Sequence, residues 1–303
     1  YAATIPHLLF VIFQMMFAII TAAVISGSVA ERMRFPAFIL FIIIWSTVVY
    51  CPIAHWVWGN GGWLKDLGVL DFAGGNVVEI NSGISGLVAA IVIGRRKRTA
   101  PDPHHIPMAI LGGGLLWFGW FGFNAGSAVG ANGLAAQALG TTTVAAAAAA
   151  MTWVFLDKIL GHKLSAMGAC IGAVVGLVAI TPAAGFVTIP SAIAIGIIAS
   201  IVSNFVCSKF PKGKIDDALD VFACHGVGGM VGMLLTGVFA SKSVNSIVGD
   251  NQGLIYGDAT LFLIQLKALV LASIFAFAAS YALFFIVNKI TPLRVSEDKE
   301  ELG

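Results

Sequence analysis

Nine apolar windows follow one another along the chain, at 4–30, 35–58, 71–94, 106–128, 132–159, 164–185, 189–210, 217–240 and 258–290. Each is long enough to cross ~30 Å of hydrocarbon as a helix of ~20 residues. A soluble globule has no interior large enough to hide them. Hydrophobic residues make up 58% of the 303, and the 35 glycines carry the apolar share to roughly 70%, against about 45–50% in soluble domains. The pattern predicts an all-α polytopic membrane protein that forms one membrane domain over 1–303, with 296–303 opening a cytoplasmic tail. Disordered, collagen-like and disulfide-scaffold classes are excluded, and a net charge of +2 gives no reason for a nucleic-acid partner. The four cysteines lie in apolar stretches without C-x-x-C spacing and are expected to be inert core thiols, with no metal site and no cofactor. The chain opens at Tyr1 without Met or a charged n-region, so no signal peptide is expected and the true N-terminus is expected further upstream.

Charge is confined to the joints, and unevenly. Alternate joints collect fourteen Lys and Arg: Arg32 and Arg34, the run Arg95-Arg96-Lys97-Arg98, Lys158 and Lys163, Lys209, Lys212 and Lys214, then Lys289, Arg294 and Lys299. The other joints hold only Lys65 and Lys242. Because basic joints stay on the cytoplasmic side, this split puts the tail in the cytoplasm and Tyr1 outside. Lys267 is left inside the last window, where snorkelling or a buried ion pair is expected. Gly168, Gly172 and Gly176, Gly228 and Gly232, and the run Ala145–Ala150 supply small faces for close helix packing in lipid.

One pattern occurs twice. Asp71 stands eight residues before Glu79, and Asp217 eight before His225. By the charge count, the two windows enter the membrane from opposite faces, as in an inverted-topology repeat with five helices per half. That spacing predicts a parent of eleven spans, five plus five plus one, with two helices before Tyr1. A carboxylate in hydrocarbon is expensive and turns toward protein or water, so Glu79 is a functional candidate and His225 its natural partner. At 1.5 Å per residue each lies about 12 Å in from its aspartate, which leaves them about 6 Å apart along the normal of a ~30 Å slab. An acid and an imidazole meeting there can exchange a proton with a small protonatable solute. The same pair can instead be a hydrogen bond that only fixes two helices.

Aromatic residues extend the constellation. Phe13 and Phe17 share a helical face, Trp58 stands at the end of the second window beside His55, and Phe123 and Ser127 share a face in the fourth. Rings and a hydroxyl at the outer side suit a cation, through cation–π attraction and a hydrogen bond. Asp71 and Asp217 read as helix N-caps, Asp220 as a further backbone acceptor, and His104 and His105 as solvated.

The motifs D-F-A-G-G-N-V-V-E-I-N-S-G-I-S-G-L (71–87), G-W-F-G-F-N-A-G-S (119–127) and D-V-F-A-C-H-G-V-G-G (220–229) resemble the ammonium transporter, methylammonium permease and Rhesus family. The likeness runs from A-E-R-M-R-F (30–35) to P-L-R-V (292–295). It implies a homotrimer with a narrow hydrophobic pore in each subunit of eleven helices. It also implies an ammonium site at Trp58, Phe13, Phe17 and Ser127 supported by Asp71, and phenyl gates at Phe17 and Phe123. Deprotonation there, passage of ammonia past two pore histidines, and a P-II-type regulator at the cytoplasmic face belong to the same picture. This sequence departs from it at Glu79, where most members carry the first histidine, while His225 is kept; some fungal permeases are similar in having an acid at that position.

The leading expectation is therefore transport of ammonium or ammonia, with methylammonium as a further solute, by a multi-pass protein of the plasma or inner membrane. An ammonium sensor or receptor that signals through a cytoplasmic partner or fused domain is the alternative. A membrane enzyme using Glu79 and His225 as acid and base lacks an accompanying nucleophile or metal cluster, and a potassium filter lacks T-V-G-Y-G.

Overall fold

The computed structural model describes residues 2–97, 105–209 and 215–302. Tyr1, Arg98, His104, Lys212 and Lys214, which enter the orientation and solvation expectations, lie outside the described residues. The described residues are helical, with one isolated antiparallel bridge between Met33 and Arg294. The helices are α1 (His7–Ser26), α2 (Phe35–Trp45), α3 (Cys51–Trp58), α4 (Trp63–Asp66), α5 (Asn81–Ile93), α6 (Ile106–Ala125), α7 (Gly133–Ile159), α8 (Ala166–Ile180), α9 (Ile189–Lys209), α10 (Gly228–Phe239), α11 (Thr260–Ile290) and α12 (Glu297–Leu302). Among the described residues, eight helical runs are long and apolar enough to cross a bilayer.

Local chemistry explains where the windows and the helices differ. The window at 164–185 contains only the 15-residue α8 (Ala166–Ile180), because Pro182 has no N–H with which to extend the ladder. In the second window Pro52 likewise leaves a backbone hydrogen bond unmade, and the π-helical turn Ser46–Tyr50 between α2 and α3 absorbs it. The windows opening at 71 and 217 begin with turns, and their helical parts start at Gly75 and Phe222.

Small residues set the packing. A Cβ on Gly176 of α8 or on Gly196 of α9 would strike the Ala145 carbonyl of α7, so the three helices meet along the alanine run as closely as backbones allow. The run Gly75–Ile93, which includes α5, is 83% buried over its most apolar stretch and stands at the centre. Lys267 is exposed on α11, and none of the ion pairs among the described residues includes it, so the buried-pair alternative is corrected. The thiols are all free, but only Cys207 and Cys224 are buried; Cys51 is exposed because it lies on the outward face of α3.

At the end of the bundle opposite Asp71, a fully buried guanidinium ties three segments together. Arg32 donates to the carbonyls of Ser28, Gly94 and Asp216 and lies 3.5 Å from the Asp216 carboxylate. Arg96 closes on the same carboxylate at 2.7 Å, and Arg294 donates to Ile93 O, Arg95 O and Glu300. Burial opposes ionisation of Asp216, yet the Arg96 guanidinium and N–H hold its pKa down to about 2. A carboxyl depressed on folding stabilises above its unfolded value of about 3.9, and that contribution is lost as pH falls through the folded value. Asp216→Ala is expected to cost about 3 kcal/mol at neutral pH, the lower end for breaking a buried pair, since Arg32 keeps three carbonyl acceptors. Thermal melts in detergent test this: the gap between variant and parent closes as pH falls from about 4 toward 2.

Candidate functional site

The centre of the molecule is built twice from one plan. Asp71 accepts the N–H groups of Gly74, Gly75 and Asn76 at 2.8, 2.6 and 2.7 Å, and Asp217 accepts that of Phe222 at 2.7 Å, five residues on in each case for Asn76 and Phe222. Both aspartates therefore cap the helical segments behind them, as their spacing predicts. Phe72 N–H donates to Pro182 O at the end of α8, and Ala218 N–H donates to Ser28 O just past the end of α1. Behind each cap the chain enters a π-helical turn, Gly75–Ile80 or Phe222–Val227, and these turns carry Glu79 and His225. Such turns widen a helix by one residue and often mark functional sites.

The two helices cross antiparallel on glycine. A Cβ on Gly83 would fall on the Gly226 backbone, and one on Gly229 would lie 2.7 Å from Glu79 Cβ. At the far side, Asn76 reaches Met233. The close crossing brings Glu79 Oε2 within 2.8 Å of His225 Nδ1. Glu79 is fully buried and the His225 side chain is 15% exposed, so the pair is open on the imidazole side only. Glu79 Oε1 has no hydrogen-bond partner among the described residues. A buried carboxylate oxygen left in that state has strong affinity for a small N–H donor. The two side chains thus share one site, as the sequence predicts.

The rings collect on the Asp71 side. Phe17 is packed edge-on by Phe13 at 4.9 Å, by Trp58 at 5.5 Å and by Phe123 at 4.7 Å. Trp58 donates its indole N–H to Asp71 O at 2.8 Å, which links the ring cluster to the cap of the Glu79 helix. Ser127, in a short turn after α6, donates to Phe123 O at 2.8 Å and keeps a lone pair free to accept. It follows Phe123 by one turn and precedes Val129, whose φ of 52° is a strained value for a β-branched residue. His105 caps α6 by accepting Met108 N–H at 3.1 Å, a role beyond simple solvation. Asp220 has a left-handed backbone at φ 53°.

Two supports had little sequence signal. Gln265 of α11 makes both amide hydrogen bonds to Leu70, at 3.0 and 2.6 Å, and so fixes the residue before Asp71. Trp120 stacks on Phe123 at 4.8 Å and 16°. Only the three-residue spacing of Trp120 and Phe123 on one helix hinted at the second. Among the described residues no group of three or more His, Cys, Asp or Glu is arranged to hold a metal ion.

A helical membrane bundle with opposed half-repeats crossing at a buried polar pair defines an inverted-repeat transport protein. The Ammonium Transporter Family model matches residues 1–303. An ammonium transporter of Bacillus subtilis is 52% identical over 305 residues, covering 100% of this chain and 75% of that protein. One of Aquifex aeolicus is 50% identical over 97% of this chain and 69% of its own length. Among solved structures, Candida albicans Mep2 is 38% identical and superposes with a TM-score of 0.90 over 97% of this chain and 67% of that one. A sensor Amt protein, 33% identical, gives 0.87 over 96% and 74%. The chain belongs to the ammonium transporter family.

Proposed function

We propose that the chain recruits ammonium at Trp58, Phe13, Phe17 and Ser127, passes ammonia between Phe17 and Phe123 to the Glu79–His225 pair, and takes up on the Glu79 carboxylate the proton that ammonium loses. The observation that carries this reading is the 2.8 Å acid–imidazole contact at a glycine crossing, on a helix whose capping Asp71 is tied to the ring cluster through Trp58. The rings attract a cation through their π faces, and Ser127 Oγ accepts one of its N–H groups. Asp71 shapes the entrance without touching solute, since its carboxylate is engaged by three amides and its carbonyl by Trp58. Below the rings the apolar walls favour the neutral species. Glu79 and His225 then provide an acceptor and a donor–acceptor, a set whose directional hydrogen bonds suit ammonia and methylammonium and which the potassium ion, having no N–H, cannot use.

The Asp71 side faces outward in this reading and the Arg32–Asp216 side faces the cytoplasm, in keeping with the basic joints. A cavity of about 640 Å³ between α1 and α6 is lined by Phe13, Phe17 and Phe123, and the neighbouring α1 surface exposes Leu8, Ile12, Met15 and Ile19. The same reading has the protein work as a homotrimer in the cell membrane, with a P-II-type regulator at the face that carries the Arg96–Asp216 and Arg294–Glu300 pairs. Likeness to a sensor Amt protein supports sensing as the second reading.

Uptake into vesicles reconstituted with the full-length protein tests the proposal. Trp58→Leu and Ser127→Ala should each raise the half-saturating ammonium concentration by a factor corresponding to about 1–2 kcal/mol or less, one cation–π contact or one hydrogen bond. Unchanged half-saturation in both would move recognition deeper into the conduit. Absence of any ammonium flux, with ammonium binding retained, would favour the sensor.

A further inference from the structure

The repeated plan has one asymmetry. The end of α8 supports the Asp71 turn through Pro182 O, and the end of α1 supports the Asp217 turn through Ser28 O, so Thr181 and Gly27 hold equivalent places one residue earlier. Gly27 has no side chain to offer; a Cβ there would lie 2.8 Å from Val221. Thr181, fully buried, donates to Leu177 O at 2.8 Å and accepts the Trp120 indole N–H at 2.9 Å. Trp120, 3% exposed, lies nearly parallel to Phe123, and Phe123 meets Phe17 edge-on at 4.7 Å. Of the two rings that meet there, Phe123 is thus tied through Trp120 to a corner hydroxyl, while Phe17 lies on α1, whose corner is Gly27.

We infer that Thr181 is a positioning residue for the gate, setting the orientation of Phe123 through Trp120 and thereby the size of solute that passes. The inference rests on the conduit reading above. A free Phe123 ring swings over a broad range of χ2. Stacking on a fixed indole narrows that range, and the Trp120 indole is fixed by the hydrogen bond that its single donor makes to buried Thr181. Thr181 is well placed for this, since Leu177 O engages its proton and leaves the oxygen lone pairs to Trp120. Through Pro182 the same corner also fixes Phe72, so gate and Glu79 helix are indexed to one point.

The test compares Thr181→Val, which keeps the shape and removes the oxygen, with Thr181→Ser, which keeps the oxygen. In vesicles the ratio of methylammonium to ammonium uptake should rise about two- to tenfold in Thr181→Val, the factor an aromatic pair carries, and stay at the parental value in Thr181→Ser. Trp120→Phe should reproduce the Thr181→Val ratio, and the double variant should add nothing to it. Ultraviolet resonance Raman of the folded protein supplies a readout independent of transport: the Trp120 share of the hydrogen-bonded indole N–H band, identified as the part that Trp120→Phe removes, should be lost in Thr181→Val and kept in Thr181→Ser. A parental ratio in Thr181→Val together with loss of that band overturns the gate role. Retention of the band shows that Thr181 does not hold Trp120 and overturns the inference at its root. A parent protein that moves neither solute overturns the conduit reading itself, and the Raman comparison then decides only the Thr181–Trp120 contact.

Discussion

Asp71→Ala is expected to abolish ammonium uptake and to remove most of the folded protein from the membrane fraction. The carboxylate accepts three buried amide N–H groups, and alanine accepts none. Each donor so abandoned costs about 1–3 kcal/mol, so the three together approach the whole stability of a typical domain, about 5–15 kcal/mol. Asp71→Asn separates fold from function. Its amide oxygen can still accept from Gly74 and Gly75, but its NH₂ then faces the Asn76 N–H, a donor against a donor. That variant should reach the membrane in reduced amount and pass ammonium poorly, because the turn that aims the Trp58 indole at Asp71 O is displaced. Asp217→Asn, with one amide confirmed on one oxygen, should be milder. Expression measured by fluorescence-detected chromatography, alongside uptake per folded molecule, checks both effects. Normal accumulation of Asp71→Ala would show that the amides find water or other acceptors, and the cap would lose its central place.

How much of this was readable from the chain depends on the kind of interaction. Hydrophobic length and charged joints gave the bundle, because a bilayer imposes one requirement on every span. The doubled Asp-to-partner interval pointed to the meeting of Glu79 with His225, because it is a local spacing carried by a helix. Where Pro182 and Pro52 alter the backbone, window lengths misjudged the elements, since hydropathy is blind to a missing N–H. The polar supports were also hard to read. Gln265 and Leu70 are 195 residues apart, and Asp216 lies 184 from Arg32, so their pairing depends on which helices become neighbours. Thr181 had no signal of its own: its meaning comes from Gly27, its counterpart across the repeat, and that equivalence follows from two backbone hydrogen bonds.

Glu79→Gln should fold and should cut ammonium uptake by about ten- to a thousandfold. Glutamine has nearly the volume of glutamate, and its amide can still bond His225 Nδ1, so the glycine crossing needs no rearrangement. What disappears is a charge. Ammonia reaches the pair uncharged, so that charge acts on the proton left behind: a unit charge about 4 Å from it contributes up to ~4 kcal/mol at an effective dielectric of 20, of which only part is realised. Glu79→Leu should be worse, because it also leaves the imidazole nitrogen without its partner. Glu79→His should retain transport and change its pH profile. An imidazole becomes a cation when it takes up a proton, whereas a carboxylate becomes neutral, so the pH profile of uptake should differ in shape between Glu79→His and the parent. Current recordings on supported membranes, run beside isotope uptake from pH 5 to 8, distinguish these cases. Identical profiles for Glu79→His and the parent would remove the carboxylate from the proton path and reduce the Glu79–His225 contact to a fastening between two helices.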